Sequence, residues 1–501
     1  MRKPIEDVLG DKEIERLDRI HYNYEYYSGK QHKDSLGRLV RSYDLNRPDG
    51  YDYDPARFET NYFKAFIKRK ARWQMAGQHG IEVVPKDDEA TSIKNAQTYE
   101  DLIHKLWKQN LMDSKKLAIA RDRMIGGSVH CLLAFNPKDG QLHWVWHKAH
   151  EVFPIYSDDG FNTLIGTDII IPIEDDSEQT FYHVKHFRMN EDYTDCSYEE
   201  LIYDEQIKVV KTIKPKMSLS IDFVPMVHFN VESTSGEINH FDDLEDMEIL
   251  TSQLNRMMED ASDSLAFEMF GITVITNAKE GTARQMKIAP GAVVEIQPNV
   301  EGISADMKQL EARFEWKEAY KDQYNRIKSA LHELSGLPQI VPQELNFGGM
   351  NDRALQVLYQ DIIQETEEHW LSWEVGFTEL FEKSVKYLQA RTSHTKFKYD
   401  KAEILGIDSE LETKMNFILP LPDDRDQLVD LLIKEVDNEL DSKRGAMKRL
   451  GVVDVEGKLE EIYAEKERAL EIETPYNFGS EPEIPQEDEA LSDEQRNEVS
   501  E

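Results

Sequence analysis

The chain has 501 residues, 40% of them hydrophobic and 31% charged, and a formal net charge of −37; two or more structural regions are expected at that length, and the basic footprint by which proteins grip nucleic acid is excluded for the chain as a whole. No run of about 18 apolar residues occurs, and Met1 to Glu6 carries no apolar signal region, so neither membrane insertion nor secretion is expected. Cys131 and Cys196 stand alone, which excludes a disulfide framework and a four-cysteine zinc site and points to synthesis in a reducing cytosol.

Taken in order, Asp11 to Gly29 reads as a polar helix ending in Tyr22, Tyr24, Tyr26 and Tyr27, and a loop rich in Asp, Pro, Gly and Tyr runs from Ser42 to Phe58. Asn61 to Ala76 forms a helix carrying Lys64, Lys68, Arg69, Lys70 and Arg72, the densest basic cluster of the first half. A solvated face, or pairing with an acidic face of a neighbouring subunit, explains that cluster more simply than contact with DNA. Ala96 to Met112 and Asp113 to Ile125 read as two helices, the second stopped at Gly126-Gly127.

Strands are expected over Val129 to Asn136, Gln141 to His147, Val152 to Tyr156, Leu164 to Ile173, Thr180 to Met189, Glu199 to Tyr203, Lys208 to Ile213 and Asp222 to Asn230. Pro225 marks the last as an edge. This half is expected to be α+β with a curved antiparallel sheet.

The stretch from His240 to Arg391 organises the rest. Phe241, Leu244, Met247, Leu250, Leu254, Met257, Ala261, Leu265 and Met269 make one apolar stripe on a helix, and Asp242, Asp243, Glu245, Asp246, Glu248, Glu259, Asp260 and Asp263 fall largely on its other faces. Ile272 to Thr276 and Ala292 to Gln297 read as short strands around a locally basic segment with Lys279, Arg284 and Lys287. A second helix carries Trp316, Tyr320, Tyr324, Ile327, Leu331 and Leu334 and stops at Gly336 and Pro338. A third is expected from Asn351 or Asp352 to about Thr392, roughly 60 Å at about 1.5 Å per residue. Three long amphipathic helices with no equally long partner elsewhere in the chain suggest packing against copies of the same chain.

Beyond it, Lys396 to Tyr399 and Met415 to Leu419 read as strands, and Arg425 to Leu440, Ser442 to Leu450 and Glu456 to Leu470 as helices. From Glu473 the chain is acidic and proline-bearing, and disorder is expected.

No catalytic constellation emerges. Gly126-Gly127-Ser128 lacks the lysine of a phosphate-binding loop, and His130 stands where a nucleophile elbow needs its second glycine. His143 and His147 on one strand lie about 13 Å apart, too far for a common metal without a bend. The acidic residues of the first long helix are spread over many turns, so an acidic wall fits them better than a divalent-metal site. Trp370, Trp373 and Phe377 read as packing residues, since aromatic readers of nucleic acid sit in basic grooves. No cofactor and no metal are expected.

Several strings, in this order, resemble phage portal proteins, most closely those of long-tailed phages with non-contractile tails. They are Tyr26-Tyr27-Ser28-Gly29, Asn61 through Gly77 with Gln74-Met75-Ala76-Gly77 at its end, Gly126-Gly127-Ser128 before a strand, Phe223 to Asn230 before the Asp-rich helix, Leu334-Ser335-Gly336-Leu337-Pro338, Phe347-Gly348-Gly349 before a long helix, and Ser442 to Gly451 followed by Glu456 to Glu467.

The resemblance implies an α+β portal-type fold: wing at 1–239, stem helices at 240–271 and 314–337, clip at 272–313, tunnel loop at 338–351, long helix and remaining wing at 352–419, crown helices at 420–472 and acidic tail at 473–501. It further implies a non-enzymatic homo-oligomeric ring, usually of twelve subunits, at one capsid vertex. Double-stranded DNA would pass through it without sequence specificity during packaging and ejection.

The partners implied are the large-subunit ATPase of the terminase, a head-completion adaptor, and scaffolding and major capsid proteins; no membrane partner is expected. The virion would hold the protein after assembly in the host cytoplasm. Asp242, Asp246, Glu259 and Asp263 are expected to line the stem, Lys279, Arg284 and Lys287 to contact partners at the clip, and Asn346, Phe347, Gly348, Gly349, Met350 and Asn351 to lie nearest the DNA. Phe347 and Met350 depart from the family's pattern in being apolar, and contribute no cation for a specific grip on phosphate there. A capsid scaffold or tail protein, and more remotely a metal-dependent nuclease, are the alternatives.

Overall fold

In the computed structural model, the described residues are 10–41, 55–77, 79–87, 89–161, 163–174, 179–231, 242–270, 272–279, 296–300, 303–310, 316–339, 357–419, 425–450, 452 and 455–473. They divide into two units, Met1–Asp423 and Asp424–Glu501.

The first unit begins with helices α1 (Asp11–Ser28) and α2 (Tyr62–Met75), strand β1 (His79–Val83), and helices α3 (Ala90–Gln109) and α4 (Met112–Gly126). Asn61 caps α2 by accepting the Lys64 amide at 2.8 Å. Strands β2 (Ser128–Asn136), β3 (Gln141–Lys148), β4 (Val152–Tyr156), β5 (Leu164–Glu174), β6 (Thr180–Met189), β7 (Cys196–Tyr203), β8 (Val209–Ser218) and β9 (Met226–Asn230) follow.

The single curved sheet expected of these strands is two sheets. One has three strands in the order β3-β2-β9 and the other five in the order β4-β5-β6-β7-β8, all antiparallel. A 3-10 turn at Ala149–Glu151 separates β3 from β4. After β8 the chain returns to pair Ser128 with Asn230 and Leu132 with Met226, which makes β9 an edge of the smaller sheet.

Next come the long helix α5 (Asp242–Phe270), the hairpin-like pair β10 (Ile272–Thr276) and β11 (Asp306–Leu310), and helix α6 (Trp316–Leu334). The partner of β10 is β11; of the strand expected at Ala292 to Gln297, residues 292–295 lie outside the described set. Gly336 takes φ 64°, the left-handed geometry that closes a helix and that glycine adopts without a Cβ clash.

Helix α7 (Gln360–Arg391) has 32 residues, about 48 Å at about 1.5 Å per residue. The run expected from residue 352 is interrupted at Tyr359, which leaves helical geometry (φ −102°, ψ 12°) where its ring meets Trp73 at 5.2 Å; residues 351–356 lie outside the described set. Its Trp373, Phe377, Leu380, Phe381, Val385 and Leu388 are buried at helical spacing in the main core, together with residues of α3, α4, β2, β3 and β9. At Gly376 an added Cβ would stand 2.3 Å from the Phe229 ring, so only glycine lets α7 approach β9 this closely. Trp144 Nε1 donates to Ser384 Oγ at 3.0 Å and Trp373 Nε1 to Gln74 Oε1 at 3.2 Å, which satisfies the indoles inside the core. The apolar stripe of this helix is therefore covered by its own chain, and the expectation that all three long helices lack an internal partner fails for α7.

Short helix α8 (Lys401–Gly406) and strand β12 (Thr413–Phe417), which pairs with β1, complete the unit. Lys396 to Tyr399 is not a strand; within it the Lys398 amide reaches Gly140 O at 3.2 Å. The second unit holds α9 (Arg425–Asp437), α10 (Lys443–Arg449) and α11 (Val455–Glu473), with Leu432, Ala446 and Val455 buried and Arg449 paired with Glu435.

Candidate functional site

Helices α5 and α6 lie side by side. Along α5, Leu244, Met247, Leu254 and Ala261 are buried, whereas α6 buries only Ile327 and Leu331. Tyr320 Oη donates to Met258 Sδ at 2.8 Å. Trp316, Tyr320 and Tyr324 form successive ring contacts of 5.8 and 6.1 Å.

A second stripe on α5 is polar, formed by Glu248, Ser252, Asn255, Glu259 and Asp263, and the N-terminal segment covers it. Tyr26 Oη donates to Glu248 O and meets Ser252 Oγ, both at 2.9 Å. The amides of Thr60, Phe58 and Ala56 donate to Asn255 Oδ1 at 2.8 Å, Glu259 Oε1 at 3.3 Å and Asp263 Oδ1 at 2.7 Å. Arg41 pairs with Asp263, with Asp260 at 2.7 Å and with Glu259 at 4.0 Å. Burial pushes the Glu248 carboxyl up to about 7 despite Arg19 at 3.3 Å.

Helix α2 borders this pair. Its basic cluster divides: Lys70 is buried against Glu365 of α7 at 2.8 Å, while Lys68, Arg69 and Arg72 are exposed. Burial alone would raise the Glu365 carboxyl, but the His369 hydrogen bond and the Lys70 charge hold it below its ordinary value. Between α2 and the C-terminal turns of α6 lies a cavity of about 420 Å³, with Arg69, Lys328 and His332 beside Phe66, Trp73 and Leu337. His332 Nδ1 donates to Leu337 O at 3.0 Å. Burial lowers the His332 pKa; that hydrogen bond opposes the shift, and the charges of Lys328 and Arg69 add to it.

Among the described residues, those singled out in the sequence are not gathered in one place. Asp246 is exposed on α5; Asp242 is its first residue, with a side chain outside the described set. Glu259 is 0% exposed and Asp263 is buried as well. The expectation of open, lining carboxylates is corrected for these two, because they neutralise Arg41 and accept backbone amides. Lys279 is exposed, with its amide donating to Gln297 O at 3.0 Å. Arg284, Lys287 and the whole loop Asn346, Phe347, Gly348, Gly349, Met350 and Asn351 lie outside the described residues. His143 and His147 pair with separate carboxylates, Asp139 at 3.0 Å and Glu151 at 2.8 Å.

Sequence reasoning missed Arg41 and the cavity, whose parts are far apart in the chain. It also missed the contact between His130 and His228 on neighbouring strands, Nδ1 to Nδ1 2.7 Å. Burial lowers both, His228 to about 3. Among the described residues, no group of three or more His, Cys, Asp or Glu side chains is placed to hold a metal ion, and no helix is long and apolar enough to cross a membrane.

A family model described as phage portal protein, SPP1 Gp6-like, matches residues 6–471. No curated protein matches the chain. Among solved structures, a chain from the neck of an empty gene transfer agent particle computed with C6 symmetry is similar at 13% identity, over 77% of this chain and 89% of that one, with a TM-score of 0.41. A chain from the virion of a native gene transfer agent particle is similar at 12% identity, over 77% and 88%, with a TM-score of 0.37.

Proposed function

This chain belongs to the SPP1 Gp6-like family of phage portal proteins, and on that premise we propose that its copies close into a ring at one capsid vertex, through which double-stranded DNA is packaged and later ejected. In this reading α5 and α6 are the stem, the segment 272–313 around β10 and β11 is the clip, and 338–351 is the tunnel loop. The family is a structural one, and no catalytic step, metal or cofactor is assigned.

The observation that carries the reading is α6. It has nineteen residues and buries two side chains in its own chain. A helix of that length is marginal in water without a packed face, and neighbouring copies related by an axis supply the missing surface.

Asp242 and Asp246 are proposed to face the bore, whereas Glu259 and Asp263 hold the N-terminal segment instead. Carboxylates along a channel repel phosphate and release no counterions, so the duplex slides without adhering. Lys279, Arg284 and Lys287 are proposed contacts for a terminase ATPase, which supplies the energy; a head-completion adaptor, scaffolding and capsid proteins are the other proposed partners. Packaging into heads assembled with and without the chain tests the reading: DNA-filled heads are expected only with it, and equal filling without it contradicts the proposal.

A further inference from the structure

The cavity between α2 and α6 is cationic in a chain whose net charge is −37. Arg69, Lys328 and His332 border it, and among its described lining residues there is no carboxylate. Phe66 and Leu337 close its floor and are already buried, and the half-buried rings of Trp73 and Tyr359 give it an accessible apolar wall. Arg69 and Lys328 line the cavity together beside His332, whose imidazole is kept from charging by burial, so the like charges gathered there are those of Arg69 and Lys328. Like charges held together without an anion repel, and an incoming carboxylate removes that repulsion.

A matching surface exists on α5. Glu245 and Ile249 are exposed, Ile249 to 61%, and their spacing of four residues puts them on one face. Neither lines the cavity of its own chain. Tyr320 meets Met258, while Leu331 shares a cluster with Leu244 and Met247. The two helices are therefore antiparallel, and the C-terminal turns of α6 stand level with the first turns of α5. Rotation about an axis that runs along the pair keeps that level, so Glu245 and Ile249 of the next copy come round at the height of the cavity.

We infer that the cavity is the receptor for a second copy of this chain: it takes the Glu245 carboxylate between Arg69 and Lys328, and Ile249 against Trp73 and Tyr359. This rests on the ring reading given above. A carboxylate with an aliphatic neighbour one turn away fits a cationic cleft with an apolar wall, and repetition around the ring gives each copy one such contact as donor and one as receptor.

The test uses the full chain, with assembly followed by sedimentation velocity and folding by circular dichroism. Arg69→Glu with Lys328→Glu, and separately Glu245→Lys, are each expected to raise the concentration for half-assembly on the order of tenfold or more. Combining all three substitutions is expected to recover most of the loss. A neutral pair, Arg69→Gln with Lys328→Gln, keeps the test valid should the reversed pair fold poorly, and a smaller loss is expected of it. Wild-type assembly by both charge-altered pairs overturns this inference alone, as does reduced DNA retention with unchanged assembly, which would assign the cavity to nucleic acid. A wild-type chain that stays monomeric overturns the ring reading and this inference with it.

Discussion

Helix α7 and the α5–α6 pair look alike in sequence, with apolar residues three and four apart, yet their surroundings differ. On α7 the stripe from Trp373 to Leu388 is enclosed by its own chain, and only outward positions such as Leu371 and Val375 show apolar area. On α6, Leu334 is 47% exposed and the aromatic residues are half-buried. Periodicity shows that a helix has a face to cover; it does not show whether the cover comes from the same chain. One helix builds the protomer, and the other keeps apolar area open, which the proposed ring would cover.

That contrast can be broken first at α7. Trp373→Ala should destabilise the protomer by about 3–5 kcal/mol, seen in the midpoint of denaturant unfolding; a change near zero would mean that the core is not built on α7. Next in size is Arg41→Ala, which removes a cation paired with buried Glu259 and Asp263 and should cost about 3 kcal/mol. Faster amide exchange at Ala56 and Phe58, whose N–H groups donate to these carboxylates, is the local signature, and unchanged exchange would deny that Arg41 holds the segment.

Helix α5 and the β2–β9 pair on which α7 packs should also respond to pH with opposite sign. Glu248 has its folded pKa raised from 4.5 to about 7, so its contribution is full below about pH 4.5 and is lost as pH rises through 7; Glu248→Gln should flatten that limb. His130 and His228 are lowered, His228 to about 3 from 6.5. The fold therefore loses stability as pH falls below 6.5 towards 3, and His228→Asn should reduce the loss. Stability profiles against pH for the two variants check both signs.

The smallest effect on the isolated protomer is expected at the outer face of α6. Lys321→Glu should change its stability by less than about 0.5 kcal/mol, while hydrogen exchange along α6 should slow on assembly more than along α7. Equal slowing of both helices would erase the distinction between them.

Much of the fold was legible where punctuation and periodicity agree. Gly336 ends α6 with the positive φ expected of it, Asn61 caps α2, and the strand that carries Trp144 buries Leu142 and Trp144 in alternation. Pairing was less legible. Pattern alone does not distinguish a meander that continues from one whose last strand returns to β2, and Lys396 to Tyr399 has strand-like residues but no neighbour to pair with along its length.

The site was least legible of all. Glu259 and Asp246 look identical in a helical wheel of acidic residues, and it is groups about 200 positions earlier in the chain, Arg41 and the Phe58 amide among them, that make one a buried ligand while the other stays open. Likewise, nothing local to Arg69 indicates that Lys328 and His332 will stand beside it.

The central claim is that α6 is completed by copies of the chain around a common axis. Class-averaged electron micrographs of the purified full-length protein, viewed down that axis, test it most directly. The account predicts closed rings with an axial opening; monodisperse single protomers at micromolar concentration and moderate salt would contradict it.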